Sequence, residues 1–301
     1  MAVPSSGAID LKDLQDEFGG SNPISISEYY RGGGLVPTNN TDVPTSGTVA
    51  LTDFYGAVNE INVSASSASS VNLKTLFDNA SSGSWASAVP KRYTIGSSVL
   101  LGITTAPASM GGTLIIDNSG DIQGTGGSAN GGAAGTAMTV QSTGVTINML
   151  SGSTLSGGGG GGGQAGAGGQ GRQIQCIQQY QCPNGTQVGS CEQDEKYLCP
   201  VYFSGGAGGA GGAGQGYNQS QANGTGGSGG SGGGSGGGGT GGNGGTFGNA
   251  GATGGTGSNG NYASGAGGSG GGAAGRAVTF SGVSAYTIIG TNSGTIHGAY
   301  T

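Results

Sequence analysis

The sequence is poor in the residues that build ordinary apolar cores. Of 301 residues, 33% are hydrophobic and 7% are charged, and tryptophan and histidine occur once each. No apolar run approaches the roughly 18 residues that a membrane-spanning helix needs. The start of the chain also lacks the basic and then apolar segments of a Sec signal. We therefore expect a protein that is made in a cytoplasm without a signal peptide and does not insert into a membrane.

Groups for acid–base or metal chemistry are scarce as well. His297 stands near the end of the chain, and no acidic residue follows Glu195. The glycine runs lack the preceding strand, following helix and lysine that a phosphate-binding loop needs. A net charge of −6 disfavours nucleic acid and anionic membrane surfaces as partners. We therefore expect no enzyme activity, no catalytic residues, no cofactor and no metal.

Glycine, by contrast, accounts for 76 residues, many of them in Gly157–Gly171 and Gly205–Gly275. Gly205–Ala213 keeps a period of three residues, which returns in Thr225–Ser231 and Thr240–Thr246. Three residues per turn is the period of a polyproline-II-type helix, which makes no internal hydrogen bonds. Each backbone group therefore needs an outside partner. We predict that these segments hydrogen bond laterally into an ordered lattice; a solvated glycine–serine linker is the alternative.

Residues 1–60 contain three copies of a short unit, at Ile9–Leu14, Ile24–Tyr30 and Val49–Tyr55. Each copy has a β-like alternation, a residue able to cap a short helix, and then bulky side chains. We predict a segment that folds against something else and so attaches the chain to it; a floppy tail is the alternative. The residues predicted to make this attachment are Leu14, Tyr29, Tyr30, Phe54 and Tyr55.

Residues 61–110 have the pattern of a small β-rich connector. Ser70–Phe77 has helical spacing of apolar residues after a serine cap, and Tyr93–Ile95 and Val99–Ile103 have the pattern of strands. We expect Trp85 to belong to a small hydrophobic core in this range.

Internal repeats mark residues 111–301. Gly131–Val140 recurs as Gly271–Phe280, and a strand, a Ser-Gly turn and a further apolar residue occur in Ile115–Gly124, Ile147–Gly157 and Ile288–Gly298. The predicted fold class is mostly β and polyglycine-II. It comprises small N-terminal units with short helices, the β-rich connector, and a glycine-rich polyglycine-II lattice flanked by β-strands.

An insert at residues 172–203 carries the cysteines Cys176, Cys182, Cys191 and Cys199. Their spacing does not match the cysteine pairs two to four residues apart that zinc sites favour. Two disulfides that staple a loop without a core fit better, with three possible connectivities. Amides and aromatics crowd the insert, and such residues suit recognition of carbohydrate or protein. We expect this loop to contact a receptor; a solvated structural insertion is the alternative.

Other interruptions of the glycine period also combine aromatic and small polar residues. They are candidate contact loops, or else turns whose aromatics pack over the ends of the glycine segments. The candidate receptor-contacting residues are Gln178, Gln179, Tyr180, Glu192, Tyr197 and Tyr202 in the insert, and Tyr217, Asn218, Gln219, Phe247, Asn261 and Tyr262 beyond it.

The chain resembles glycine-rich tail-fibre and tail-tip adhesins of tailed bacteriophages. Ile26–Gly33 and Pro44–Gly56 resemble the leading segment of many such proteins, and Val71–Gly124 resembles the approach to their glycine runs. The glycine region looks like their polyglycine-II sandwich. The resemblance implies attachment to other phage tail proteins through the N-terminal segment, location in the virion, and binding of a bacterial glycan or outer-membrane protein without catalysis. The four-cysteine insert departs from the family.

Two other functions compete with the adhesin hypothesis. A purely structural tail component would have the same construction, but substitutions in its loops would leave host range unchanged. An ice-binding protein built from glycine helices would need a regular face of Thr and Ala, and it would leave residues 1–110 without a role.

Overall fold

A computed structural model describes residues 3–177, 189–190, 197–283, 287–289 and 294–300. The chain divides into two compact units between which it passes repeatedly. The first comprises Met1–Ile122, Met138–Leu155 and Thr279–Thr295; the second comprises Gln123–Ala137, Ser156–Val278 and Ile296–Thr301. This division differs from the three consecutive ranges 1–60, 61–110 and 111–301, whose functional labels remain predictions.

Helices are short and strands are numerous in the described residues. The helices are α1 (Leu11–Phe18) and α2 (Leu73–Ala80), with 3-10 turns at Ile26–Tyr29, Leu51–Phe54 and Ser84–Ala86. The strands are β1 (Ile61–Ser64), β2 (Ala68–Asn72), β3 (Lys91–Ile95), β4 (Leu100–Ala106), β5 (Leu114–Asn118), β6 (Asp121–Gln123), β7 (Met138–Val140), β8 (Val145–Met149), β9 (Thr154–Ser156), β10 (Gly171–Ile177), β11 (Gly189–Ser190), β12 (Tyr197–Phe203), β13 (Val278–Phe280), β14 (Thr287–Ile289) and β15 (Thr295–His297).

The N-terminal segment has its own hydrophobic core. Helix α1 begins with a capping box, in which Asp10 Oδ1 accepts from the backbone N–H of Asp13 at 3.0 Å and Asp13 Oδ2 accepts from that of Asp10 at 2.9 Å. Leu14 from this helix packs with Tyr29 and Phe54 from the two following copies of the unit. The segment therefore buries its apolar side chains within itself and has more core of its own than its sequence indicates.

The predicted strands and core of residues 61–110 are confirmed. A helix also forms, but it spans Leu73–Ala80, and the first three residues of the predicted helix lie in β2. Helix α2 is capped by Asn72, whose Oδ1 accepts from the Thr75 N–H at 3.3 Å, rather than by the expected serine. Trp85 is 1% exposed, its ring centroid lies 6.1 Å from that of Phe77, and its Nε1–H donates to the Ala108 carbonyl at 3.1 Å.

The internal repeats lie side by side in two sheets. The five-stranded sheet has the order β1-β3-β5-β8-β14. The other has the order β13-β7-β4-β6-β9-β15, with β2 also paired to β4. Strands β5, β8 and β14, which come from the three copies of the strand–turn repeat, are therefore neighbours, as are β6, β9 and β15. All the registers known for these two sheets are parallel. Repeats in the sequence are thus neighbouring strands within each sheet.

The predicted fold class is wrong. The structure is mixed α/β with few helices, and its parallel sheets form a curled half-barrel rather than strands that flank a polyglycine-II lattice. Strands that run parallel in one sheet need long connections, and the glycine-rich segments lie in the connections from β6 to β7 and from β9 to β13. The sequence shows each short strand by its alternation, but it does not show that strands far apart in the chain pair with one another.

The glycine-rich segments themselves belong to neither helix nor strand, and backbone hydrogen bonds join them laterally. Toward any one neighbouring segment, N–H groups of the central segment donate at every third residue. Those of Gly159, Gly162, Ala165 and Gly168 donate to carbonyls of residues 215, 212, 209 and 206 at 2.7–2.9 Å. Residues 160, 163, 166 and 169 donate in the same way to residues 249, 252, 255 and 258. We call the hydrogen-bonded segments within residues 123–137, 157–170, 204–246 and 249–277 the glycine bundle.

Candidate functional site

The predicted contact residues fall at two opposite ends of the glycine bundle. The near end has the turns around Asn218 and Gly248, beside Gly157. The far end has the turn at residues 232–234, the bend at residues 261–263 and the hairpin of β10 and β12. Segment 157–170 connects the two ends, and at roughly 3 Å per residue of extended chain it spans roughly 40 Å. One ligand of ordinary size therefore cannot touch both groups of residues.

At the near end, the predicted contact residues form a tight turn. Asn218 has a left-handed φ of 50°, and the backbones of Gly216 and Gln219 bridge across it. The Gln219 amide Nε2–H donates to the carbonyl of Gly214 at 2.7 Å. The hydrogen-bonding capacity of this side chain is thus used within the bundle.

Phe247, also at the near end, packs within the second unit. Its ring stacks on His297 with centroids 6.5 Å apart and planes inclined by 26°, and its N–H donates to Gln215 Oε1 at 3.3 Å. These contacts fit the alternative to a contact loop, namely a turn whose aromatic side chain packs over the end of the glycine segments. A receptor contact by Tyr217, Asn218, Gln219 or Phe247 remains a prediction.

At the far end, Asn261 fixes the beginning of the β10–β12 hairpin. Its Oδ1 accepts from the Arg172 N–H at 2.7 Å and its Nδ2–H donates to the Arg172 carbonyl at 3.0 Å. The Asn261 N–H donates to the Gly234 carbonyl at 2.9 Å. This predicted contact residue therefore serves as a bracket that holds two turns and a strand together.

Three side chains meet beside this bracket: Arg172, Tyr202 and Tyr262, which we call the far-end platform. Arg172 and Tyr202 are directly paired across the two antiparallel strands. The Tyr202 and Tyr262 ring centroids lie 4.8 Å apart in an edge-to-face arrangement at 66°, and Arg172 Cζ lies 5.2 Å from the Tyr262 centroid. The tyrosines stay 38% and 50% exposed, so a cation and two aromatic rings face solvent together.

The phenol groups of the far-end platform affect one another. A hydrogen bond with Tyr202 raises the pKa of Tyr262 above its usual value, and the positive charge of Arg172 acts in the opposite direction. The Tyr262 phenol is therefore protonated at neutral pH, and a tyrosine hydroxyl can donate or accept a hydrogen bond.

Glycine is required in the turn beneath the platform. Gly233 and Gly234 have φ of +57° and +77°, which side-chain-bearing residues rarely adopt. A Cβ on Gly233 would also lie 1.8 Å from the Phe203 ring, and one on Gly234 would lie 2.6 Å from the Asn261 amide. The turn thus lies directly against Phe203 and Asn261, which limits movement of the platform.

Part of the predicted insert lies outside the described residues. Gln178, Gln179, Tyr180, Cys182, Cys191 and Glu192 are all in this group. Tyr197 begins strand β12. Cys176 and Cys199 are each disulfide-bonded, and the connectivity of the four cysteines stays a prediction.

The residues predicted for virion attachment have mixed exposure. Leu14, Tyr29 and Phe54 are fully buried in the N-terminal core, so in this fold they shape the segment rather than touch a partner. Tyr55 is 37% exposed, and its hydroxyl donates to the Gly7 carbonyl at 2.6 Å. The Tyr30 hydroxyl donates to the Gly47 carbonyl at 2.5 Å. Attachment through this segment remains a prediction.

Sequence reasoning missed Arg172 and Lys91. Arg172 directly follows a glycine run in a part of the chain where charged residues are rare. That rarity is the sequence feature that could have indicated it. Lys91 is fully buried at the start of β3, and no feature of its sequence neighbourhood indicates it. In the described ranges, no group of His, Cys, Asp and Glu could hold a metal, and no helix is long and apolar enough to cross a membrane.

No protein-family model matches the chain, and no curated protein matches it. Among solved structures, the chain is similar to the crystal structure of the gp37–gp38 adhesin tip complex of the long tail fibre of bacteriophage S16. The sequence identity is 19%, the match covers 100% of both chains, and the TM-score is 0.39. A TM-score of this size does not establish a common fold, so no conclusion about this chain is drawn from that similarity.

Proposed function

We propose that this chain is a phage tail-fibre or tail-tip adhesin that binds a bacterial surface receptor through the far end of its glycine bundle. The observation that carries the proposal is the far-end platform. Two half-exposed tyrosines and an arginine lie together where two turns and a hairpin converge. Rigid aromatic side chains lose little conformational entropy when they bind, which makes them effective contacts in recognition surfaces.

The glycine bundle supplies the rigidity that such a surface needs. Segment 157–163 is buried throughout and hydrogen bonds laterally to several other segments. A preorganised surface binds more tightly because less freedom is lost on binding. The near end suits this role less well, because Gln219 and Phe247 are occupied by contacts within the second unit.

The remaining parts of the proposal rest on the sequence resemblance. The N-terminal segment attaches the chain to other phage tail proteins, the mature location is the virion, and the protein acts by binding without catalysis. The receptor is a glycan or an outer-membrane protein of the host.

Binding of the purified full chain to intact cells of several bacterial strains tests the proposal. We expect saturable binding to some strains. The double variant Y202S/Y262S should lose at least about tenfold in affinity, because two central aromatic contacts typically cost more than 1 kcal/mol each. Y217S, at the near end, is the matched control and should bind like the parent. A folded chain that binds no strain would favour a purely structural tail component.

A further inference from the structure

Charged side chains are rare in the second unit, and this makes Arg172 notable. Among the described residues of that unit, the charged side chains are Arg172 and Arg276, and no carboxylate side chain is present. Arg172 is exposed on the far-end platform. Nothing in the hydrogen bonding of the bundle requires its guanidinium, because Asn261 holds only its backbone. In the described residues, the contact of this guanidinium is with the face of the Tyr262 ring.

The position of Arg172 over the Tyr262 ring leaves its N–H groups available. A guanidinium that lies over an aromatic ring can keep the N–H groups in its own plane free to donate outward. Cross-strand pairing with Tyr202 and the 5.2 Å contact with the Tyr262 ring limit the positions that it can take. The planar fork of donors matches a carboxylate or a phosphate, which it can bind bidentately.

The neighbouring tyrosines fit a sugar ring attached to such an anion. Their exposed rings offer apolar surface for the C–H face of a pyranose, and their hydroxyls can hydrogen bond to its hydroxyl groups. An isolated carboxylate would use the arginine but leave the two phenols unused, whereas a pyranose that carries the anion can use all three side chains. The combination of one cation with two phenols therefore favours a charged sugar.

We propose that the far-end platform binds an acidic pyranose, that is, a sugar that carries a carboxylate or a phosphate. This inference rests on the proposed adhesin function and specifies its ligand: Arg172 binds the anion, and Tyr202 and Tyr262 contact the ring.

Titration of the full chain with matched sugars, followed by saturation-transfer NMR and calorimetry, tests the inference. Glucuronate and glucose 6-phosphate supply the two kinds of anion, and glucose is the neutral control. We expect both charged sugars to bind at least roughly tenfold more tightly than glucose at low salt. R172Q should remove this preference, and Y262S should weaken binding of all three sugars. R276Q, which loses the same charge elsewhere in the unit, should behave like the parent once its thermal melting is shown to be unchanged.

The outcomes separate the inference from the function on which it rests. Equal binding of glucose and glucuronate, no binding of either charged sugar, or an unchanged preference in R172Q would overturn the inference. If the chain still bound cells and neither charged sugar competed, the adhesin function would stand and the receptor would be a neutral glycan or a protein. If the folded chain bound no cells, the adhesin function itself would fail.

Discussion

At the scale of single residues, the glycines in the centre of the bundle are explained by close backbone contacts. A Cβ on Gly161 would lie 1.7 Å from the Ser128 carbonyl oxygen, and one on Gly162 would lie 1.9 Å from that of Gly242. Real Cβ atoms do not approach backbone oxygens this closely, so any side chain would push the segments apart. At Gly229, by contrast, a Cβ would meet nothing within 4 Å.

This contrast gives a matched pair of substitutions. Gly162→Ala should destabilise the chain by about 2–4 kcal/mol, because overpacking here strikes backbone rather than a movable side chain. Gly229→Ala should leave stability unchanged or raise it by up to about 1 kcal/mol, since alanine restricts the unfolded chain. Thermal unfolding of the two variants beside the parent measures the difference. Equal melting temperatures would contradict the packing of the central segment.

Lys91 is a second residue whose role is set by its surroundings. Its Nζ donates to the carbonyls of Ser87, Val89 and Gly111 at 2.8–2.9 Å. Burial lowers the pKa of Lys91 to about 8, and the Asp78 carboxylate opposes that shift. Burial also raises the pKa of Tyr93, two residues on, to about 12.

These two shifts predict how stability depends on alkaline pH. Between about pH 8 and 10.5 the unfolded chain holds the Lys91 proton more tightly than the folded chain, so stability should rise with pH. Above pH 10 the unfolded chain gives up the Tyr93 proton first, so stability should fall toward pH 12. Urea unfolding at a series of pH values measures the profile. Lys91→Met should remove the rise and cost about 1–3 kcal/mol at pH 7, because three carbonyls lose their donor.

At the scale of elements, several strands bury alternate residues, as in β3, β5 and β8. In β5 the side chains of Leu114, Ile116 and Asn118 are buried, and those of Ile115 and Asp117 are half-buried on the other face. This period of two is what the sequence shows directly. It also decides which isoleucine of the strand supports the core.

Ile116 and its neighbour therefore make a second matched pair. Ile116→Ala should destabilise the protein by about 2–5 kcal/mol, as for fully buried isoleucines in other cores. Ile115→Ala should cost clearly less, because its side chain is only half-buried. Chemical denaturation of both variants tests the register. The opposite order would mean that β5 presents its other face to the core.

At the scale of the whole molecule, charge is unevenly distributed along the chain. Residues 1–60 contain 8 of the 14 acidic residues and 2 of the 8 basic residues, so this segment alone carries the net charge of −6. Residues 61–301 carry no net charge. The glycine bundle is therefore stabilised by backbone hydrogen bonds rather than by charge pairs.

Hydrogen exchange should show the same organisation. The amides of Gly159, Gly162 and Ala165 are buried and donate to other segments at 2.7–2.9 Å, so they should exchange only on global or large-scale opening. Gly226 and Gly229 are exposed and should exchange much faster. Exchange measured by NMR or by mass spectrometry of fragments checks this. Fast exchange throughout residues 157–169 would indicate that the segments do not form an ordered bundle.

The sequence by itself determined the local features of this protein. Alternation predicted β3, β4 and the repeated strands, helical spacing predicted α2, and the lone tryptophan was correctly placed in a core. The three-residue glycine period indicated lateral backbone hydrogen bonding. Each of these signals depends on residues close together in the chain, where the spacing of side chains fixes which face they share.

Only the tertiary structure decided the features that depend on residues far apart in the chain. It pairs the repeats as parallel neighbours, and it gives the chain a mixed α/β fold. It also separates the predicted contact residues into two ends and places Arg172 against Tyr262, 90 positions later in the sequence. Such pairings are set by long-range packing and hydrogen-bond partners, which leave no periodic signal in the sequence. The turn role of Gln219 and the bracket formed by Asn261 could not be predicted for the same reason.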